Sequence, residues 1–262
     1  MIYIRNDRQI EKMRRAGALL HEILGKLAEA VRPGMTTAAL DAYAEELIRR
    51  AGATPSFLNY RGFPASICTS IDDVVVHGIP SDSAVLTEGS IISIDCGVEL
   101  DGWQSDSAIT VPIGNIAPEK QHLIDITRQC FFEGARMAVA GNRLGDIGHA
   151  VQSLAEQNNY GVIRELTGHG IGKNLHEDPN VPNFGEAGKG LRLKKGMTIA
   201  LEPMISMGSY DIMIHQDGWT ISTIDGSPCS HYEHTILIGD GLPELLSYPG
   251  FSWEEYLSIS ES

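Results

Sequence analysis

The stretch SIISIDCGVEL-DG-WQSDSAITVPI, residues 90–113, reads as two strands joined at Asp101-Gly102. Asp-Gly between alternating apolar runs is a strong signal for a two-residue hairpin turn, because both central residues then take positive φ. With that loop, Leu100 faces Trp103 and Asp95 faces Ala108, and Asp106 stands on the same face as Asp95. Two carboxylates held diagonally on one strand face repel unless a cation lies between them. Their apolar flanks, Ile92, Ile94, Ala108 and Ile109, make plain hydration uncomfortable. As an isolated pair they read equally as a solvated stripe on an edge hairpin or as half of a metal site.

Upstream of the hairpin, Ile10, Met13, Ala16, Leu20, Leu24, Leu27 and Val31 recur at three- and four-residue steps until Arg32-Pro33-Gly34, which predicts an amphipathic helix. Thr37 reads as the N-cap of a second helix carrying Leu40, Ala44, Leu47 and Ile48 on one face. Downstream the order repeats. Residues 117–140 and 146–157 read as helices, followed by strand-like segments at 160–166, 198–205, 212–224 and 232–238. Two helices and then strands, twice over, predict an α+β fold of two related halves, about 1–113 and 114–240, around one mainly antiparallel sheet covered by two pairs of helices. Residues 1–262 read as a single domain, with 240–262 a surface appendage lacking any clear period.

The 262 residues carry 20 Lys plus Arg against 34 Asp plus Glu, a net charge of −14, which argues against binding nucleic acid or an anionic membrane surface. No apolar run approaches the ~20 residues needed to cross a bilayer, and the N-terminus lacks a signal-peptide core, so a cytoplasmic protein is expected. Cys68, Cys96, Cys130 and Cys229 lack CxxC spacing and read as reduced, buried thiols.

Three further residues join the aspartates as candidate ligands. His169 sits among glycines in Gly168-His169-Gly170-Ile171-Gly172, where the backbone can approach closely and turn freely. Glu202 ends the apolar run from Met197, and Glu233 in His231-Tyr232-Glu233-His234 precedes another. Each alone reads as ordinary: a strand-end Glu is usually solvated and a lone loop His is usually structural. Together, four carboxylates and one imidazole form a mixed oxygen and nitrogen set suited to Mn, Fe, Co or Zn, and rich enough in carboxylates for two adjacent ions that activate water. His176-Glu177-Asp178-Pro179 is no HExxH helix, because no second His follows at the required spacing, and Gly185–Gly190 lacks the Ser or Thr of a phosphate loop.

The ordered set Val76-His77-Gly78-Ile79-Pro80, Ile94-Asp95-Cys96-Gly97, Ser105-Asp106, Gly168–Gly172 with His176-Glu177, Leu201-Glu202-Pro203, Asp217-Gly218-Trp219-Thr220 and Glu233-His234-Thr235 resembles the type I methionine aminopeptidases from about Ile10 to Ile238. The resemblance implies the pita-bread fold and hydrolytic removal of the initiator methionine when the second residue is small. It implies that Asp106 and Glu233 bridge two divalent metals, that Asp95 completes one and that His169 and Glu202 complete the other. Glu202 is then also the proton acceptor, and His77 and His176 contact the substrate or the tetrahedral intermediate. Phe57, Tyr60, Phe63, Cys68, Leu175 and Trp219 correspond to the methionine pocket.

The partners implied are peptides and nascent chains with N-terminal methionine, with room for ribosome association; no membrane partner and no direct nucleic-acid partner is expected, and the expected state is a monomer. Proline-specific relatives carry a large N-terminal domain, whereas 76 residues precede His77 here, and type II methionine enzymes carry a helical insertion where 30 residues separate Glu202 from Glu233. A catalytically dead scaffold is the reading from a different class, opposed by the presence of all five candidate ligands.

Overall fold

In the computed structural model, which describes residues 1–260, strand Ile91–Leu100 pairs with strand Trp103–Pro112 along their whole length. Leu100 faces Trp103, Asp95 faces Ala108, and Asp101 and Gly102 take φ of 52° and 75°, as the Asp-Gly turn demands. The sheet runs on antiparallel from Trp103–Pro112 through Glu233–Leu237, Thr198–Leu201 and Thr167–Gly170 to Glu177–Pro182. On the other side of Ile91–Leu100 lie Ile67–Ile71 and Thr54–Pro55.

Helices α1 (Asp7–Ala30), α2 (Thr37–Arg50), α3 (Pro118–Met137) and α4 (Leu144–Gln157) complete the α+β fold. Asn6 caps α1 reciprocally with Gln9. The α2 cap is Thr36, one residue before the expected Thr37: Thr36 Oγ1 accepts from Ala39 N at 3.2 Å, while Thr37 Oγ1 instead binds the Ser81 backbone. Three strand expectations shrink, the first being 198–205, which breaks at Glu202-Pro203 into Thr198–Leu201 and Met204–Ser206 in different sheets. Residues 160–166 keep only Gly161–Val162, and 212–224 splits into Ile212–Ile214 and Ile221–Thr223 around a turn in which the Asp217 carboxylate accepts from Trp219 N and Thr220 N.

Strand alternation decides which face holds what. Ile92, Ile94, Cys96 and Val98 turn towards Leu20, Leu24, Leu27, Leu40 and Ile48 of α1 and α2, forming one core. A second core packs Phe131, Phe132 and Ile147 of α3 and α4 on Ile199, Leu201 and Ile236. Each such side chain contributes about 1.5–3 kcal/mol on full burial. Asp95, between Ile94 and Cys96, must therefore project from the opposite face, away from the helices.

The tail departs from the expected surface appendage. Glu244–Leu245 adds a strand beside Glu233–Leu237, Leu245, Leu246 and Ser247 are buried, and Trp253–Ser260 forms α5. Ser247 Oγ accepts from Thr235 N at 3.0 Å and contacts His234 Nδ1 at 2.9 Å, and Phe251 stacks on Phe132. These contacts are made by scattered residues, so no period announces them; positions 261–262 of the expected appendage lie outside the described residues. Gly17 of α1 lets the tail in, since a Cβ there would stand 2.0 Å from the Leu246 carbonyl oxygen. Gly17→Ala should destabilise the protein by about 1–3 kcal/mol, the usual cost of overpacking. A thermal melt unchanged from the parent's would show that the tail can move aside freely. No helix among the described residues is long and apolar enough to cross a membrane.

Candidate metal centre and pocket

The five candidate ligands arrive on neighbouring strands, in the order Asp95, Asp106, Glu233, Glu202, His169 across the sheet. Register explains their convergence. Glu233 pairs with Ala108, which pairs with Asp95, and Glu202 follows Leu201, the partner of His234. That row brings Asp95, Glu233 and Glu202 together. The adjacent row carries Asp106 opposite Gly97 and His169 opposite Ala200, joined by Thr235, whose Oγ1 binds Asp106 N at 3.0 Å and Asp106 O at 2.9 Å.

Of the two roles expected of the glycines around His169, close approach and free turning, the structure keeps the first and corrects the second. Thr167–Gly170 is a strand, and none of Gly168, Gly170 and Gly172 has positive φ. The glycines serve close approach: a Cβ at Gly168 would meet the Ala200 carbonyl oxygen at 2.3 Å, and one at Gly170 the Asp178 carbonyl oxygen at 2.1 Å. His169 is thereby clamped between two strands. Its Nδ1 stands 2.9 Å from the Gly170 carbonyl and so donates to it, which leaves the Nε2 lone pair free to ligate. Nε2 lies 3.8 Å from Asp106 Oδ2 and 3.7 Å from Glu202 Oε1.

Burial sets the electrostatics. Desolvation, then the charges of Asp95 and Glu202, pushes the Asp106 carboxyl well above the ordinary carboxylate range. Desolvation followed by Asp95 does the same to Glu202, and desolvation followed by Asp106 and the other two carboxylates to Glu233. Asp95 is raised to about 7, again mainly by burial. Asp95 Oδ1 and Glu233 Oε1 are buried with no hydrogen-bond partner among the described residues. Buried carboxylates that repel one another, with orphaned oxygens and a neutral imidazole beside them, fit divalent cations, which would ionise the acids and satisfy the orphans.

This chemistry gives a pH prediction for metal-free protein. Acids whose pKa is raised on folding stabilise the fold below the unfolded value and lose that contribution as pH rises towards the folded one. The histidines act oppositely: burial depresses His169 to about 4 and His176 and His231 to about 3, so they favour folding increasingly up to the unfolded value near 6.5. Between about pH 4 and 6.5 the two sets offset; above 6.5 the carboxylates carry the change, and the buried thiols, raised by burial, join it only near their unfolded value of about 8.5. Melting temperature without metal should therefore fall as pH rises from about 6.5 to 7.5, below the range of the thiols, and saturating metal should remove the fall. A flat metal-free profile over that range would mean the carboxylates are not clustered as described.

Beside the carboxylates opens a cavity of about 140 Å³. Its wall contains all thirteen residues singled out from sequence: the five candidate ligands, His77 and His176, and Phe57, Tyr60, Phe63, Cys68, Leu175 and Trp219. Among the described residues Arg61 is the one further lining residue, and it was not anticipated. Cys68 pairs with Asp95 on the neighbouring strand, so it shares Asp95's face. Phe57, Tyr60 and Phe63 come from a tight loop in which Asn59 and Arg61 take left-handed φ of 66° and 50°. Gly97 admits that loop, since a Cβ there would stand 2.8 Å from Phe57 Cε1. Trp219 meets Phe63 edge to face at 5.2 Å between centroids and His77 at 6.2 Å. His77 is itself left-handed, with φ 57°, and burial lowers its pKa.

His176 Nδ1 lies 3.0 Å from Tyr60 Oη, and the rings of His176 and His169 are 4.1 Å apart. The next residue, Glu177, pairs with buried Arg5 and accepts from Lys173 N and Asn174 N, which fixes the turn that carries His176. Sequence reasoning also missed His231. It is buried, and its Nε2 is 3.7 Å from Glu233 Oε2. Its position two before Glu233, hence on the same strand face, was the available signal.

A model of metallopeptidase family M24 matches residues 11–240. The methionine aminopeptidase of Clostridium acetobutylicum is 51% identical over 247 residues, 94% of this chain and 99% of that protein. Methionine aminopeptidase 1 of Bacillus subtilis is 45% identical over 241 residues, covering 91% and 96% of the two chains. The crystal structure of methionine aminopeptidase from Rickettsia prowazekii matches with a TM-score of 0.93 at 42% identity, over 95% of this chain and all of that one.

Proposed function

The chain belongs to metallopeptidase family M24 and hydrolytically removes N-terminal methionine using divalent metal, and we propose that Asp95, Asp106, His169, Glu202 and Glu233 hold two such ions while His77, His176 and Glu202 carry the catalytic work. The observation that carries this assignment is the convergence of those five side chains, with orphaned buried oxygens, in a cavity that Phe57, Phe63, Leu175 and Trp219 also line. A divalent ion bound there supplies Lewis acidity and lowers the pKa of water.

Glu202 is the carboxylate best placed to handle protons. It sits just beyond a strand end with its side chain 14% exposed, whereas Glu233 is 2% exposed within the strand. Ionised, it accepts a proton from the attacking water and passes it to the departing amine. His176 is held neutral, because burial and then the nearby His169 and Arg61 depress its pKa. With Tyr60 Oη donating to Nδ1, the ring proton rests on Nε2, where it can donate to the carbonyl oxygen as charge develops. Attack comes from water, so no acyl-enzyme forms and no Ser or Cys nucleophile is required. As part of the same reading, the enzyme is a cytoplasmic monomer acting on nascent chains; its mass in solution and its co-sedimentation with ribosomes test that part.

The pocket accounts for the first residue. Aromatic rings and Cys68 suit an unbranched thioether, which gains sulfur–aromatic contacts over an alkyl chain. Norleucine and leucine should be slower substrates by about 1–3 kcal/mol in kcat/KM, while charged first residues should not be cleaved. His77 and the neighbouring loops crowd the leaving-group side, so Gly, Ala or Ser should be accepted second and Lys, Glu or Leu rejected. Hydrolysis of Met-X-Gly peptides by metal-free protein reconstituted with single metals tests both points. Efficient turnover of Met-Lys, or faster cleavage of Ala-Pro than of Met-Ala, would overturn the specificity assignment.

A further inference from the structure

Strand Cys229–His231 ends two residues before Glu233, and the alternation of extended chain sends Tyr232 towards Phe131 of α3 while His231 and Glu233 turn the other way. His231 is 2% exposed, and its Nε2 has no hydrogen-bond partner among the described residues. That nitrogen stands 3.7 Å from Glu233 Oε2 and 3.9 Å from Glu202 Oε2, both beyond hydrogen-bonding range. The separations instead repeat those of His169 Nε2, which is 3.8 Å and 3.7 Å from its carboxylate neighbours. Two donor atoms each about 2.1 Å from one tetrahedral ion lie about 3.4 Å apart, so a small inward relaxation brings either imidazole into a coordination shell. Ligand atoms of Glu202, His231 and Glu233 also lie within 4.8 Å of one another, as do those of Asp106, His169 and Glu233.

We propose that His231 is a sixth metal ligand, sharing an ion with Glu202 and Glu233 and giving the centre a second imidazole. The proposal rests on the metal-centre reading above. It has a chemical consequence: a second nitrogen donor shifts the site away from Mn, which prefers oxygen, and towards Co and Zn, which accept imidazole readily.

X-ray absorption on the Co-loaded full chain tests this by counting imidazoles. Two imidazoles per metal pair are expected in the parent protein and one in either His231→Gln or His169→Gln. Competition binding should show the preference for Co over Mn falling about tenfold or more in His231→Gln. If His231→Gln fails to fold, the parent alone suffices: with ¹⁵N-labelled histidine, loading with diamagnetic Zn should move the ring nitrogens of two histidines to metal-bound shifts. An unchanged imidazole count in His231→Gln, or a single shifted histidine in the parent, overturns the proposal even if metal affinity drops, because a residue that only positions Glu202 lowers affinity without leaving the shell. If His169→Gln also leaves the count unchanged, or the parent takes up no ion, the metal-centre reading itself has failed and His231 falls with it.

Discussion

Asp106→Ala and Glu233→Ala proteins should each fold, lose bound metal and lose about 10³-fold or more in kcat/KM, since the several kcal/mol that a metal supplies to the transition state convert at 1.36 kcal/mol per decade. The two residues are singled out by position. Asp106 lies between Asp95, its carboxylate partner across the hairpin, and His169 Nε2 at 3.8 Å, and Glu233 lies in both groups of converging ligand atoms. Asp95 stands at one end of the row, so Asp95→Ala should keep one ion per chain. Folding is expected to survive because removing a buried acid relieves repulsion in the metal-free state: metal-free Asp106→Ala should melt above the metal-free parent at pH 8. Metal analysis beside melting curves separates these outcomes. Two ions per chain in Asp106→Ala would sink the bridging assignment.

Much of this site could be read from sequence because strands transmit pattern faithfully. A two-residue turn at Asp101-Gly102 fixes register, register fixes which residues share a face, and the pairing of Asp95 with Ala108 follows without further information. The helix periodicities of α1 and α2 survive in the same way, since the face that packs on Ile92, Ile94 and Val98 must be apolar. Pairing between distant strands is different. Nothing local to Glu233 states that it will lie opposite Ala108, 125 positions earlier, so the convergence of the two halves of the ligand set came from family resemblance and not from pattern.

The residues missed share a physical reason. His231 reads as one polar residue in a polar stretch, and only the assembled sheet shows its ring enclosed between Glu202 and Glu233. Arg5 lies near the chain's start, yet its guanidinium is buried against Glu177 and over the Trp103 ring, a pairing across 172 positions. The tail is a third case: Leu246 is seated because Gly17 offers no Cβ, and a lone glycine in a helical pattern signals weakness before it signals a docking point. The close approach expected of the glycines around His169 holds and only the turn does not, because glycines flanking a strand look, in sequence, like glycines that make a turn.

His176→Ala should lower kcat by about 10²-fold or more while leaving metal content intact, the loss typical for one removed oxyanion donor. The geometry sets the role apart from that of the ligands. His176 Nδ1 faces Tyr60 Oη at 3.0 Å and its ring stacks on Tyr60, so the imidazole is oriented from the pocket side and not by a carboxylate. A neutral ring donating from Nε2 interacts weakly with a ground-state carbonyl and strongly with the oxygen once it bears charge, so the loss should fall on kcat and kcat/KM together. Tyr60→Phe removes the hydroxyl that fixes the tautomer and should produce a smaller loss in the same parameter. The depressed pKa, about 3, adds a further expectation: the acid limb of the parent's pH–rate profile is not set by His176, and His176→Ala should shift the rate without moving that limb. Steady-state kinetics on a Met-Ala peptide from pH 5 to 9, with metal content measured in parallel, decides the matter. A change confined to KM, or a loss of metal matching the loss of rate, would reassign His176 to substrate binding or to the metal centre.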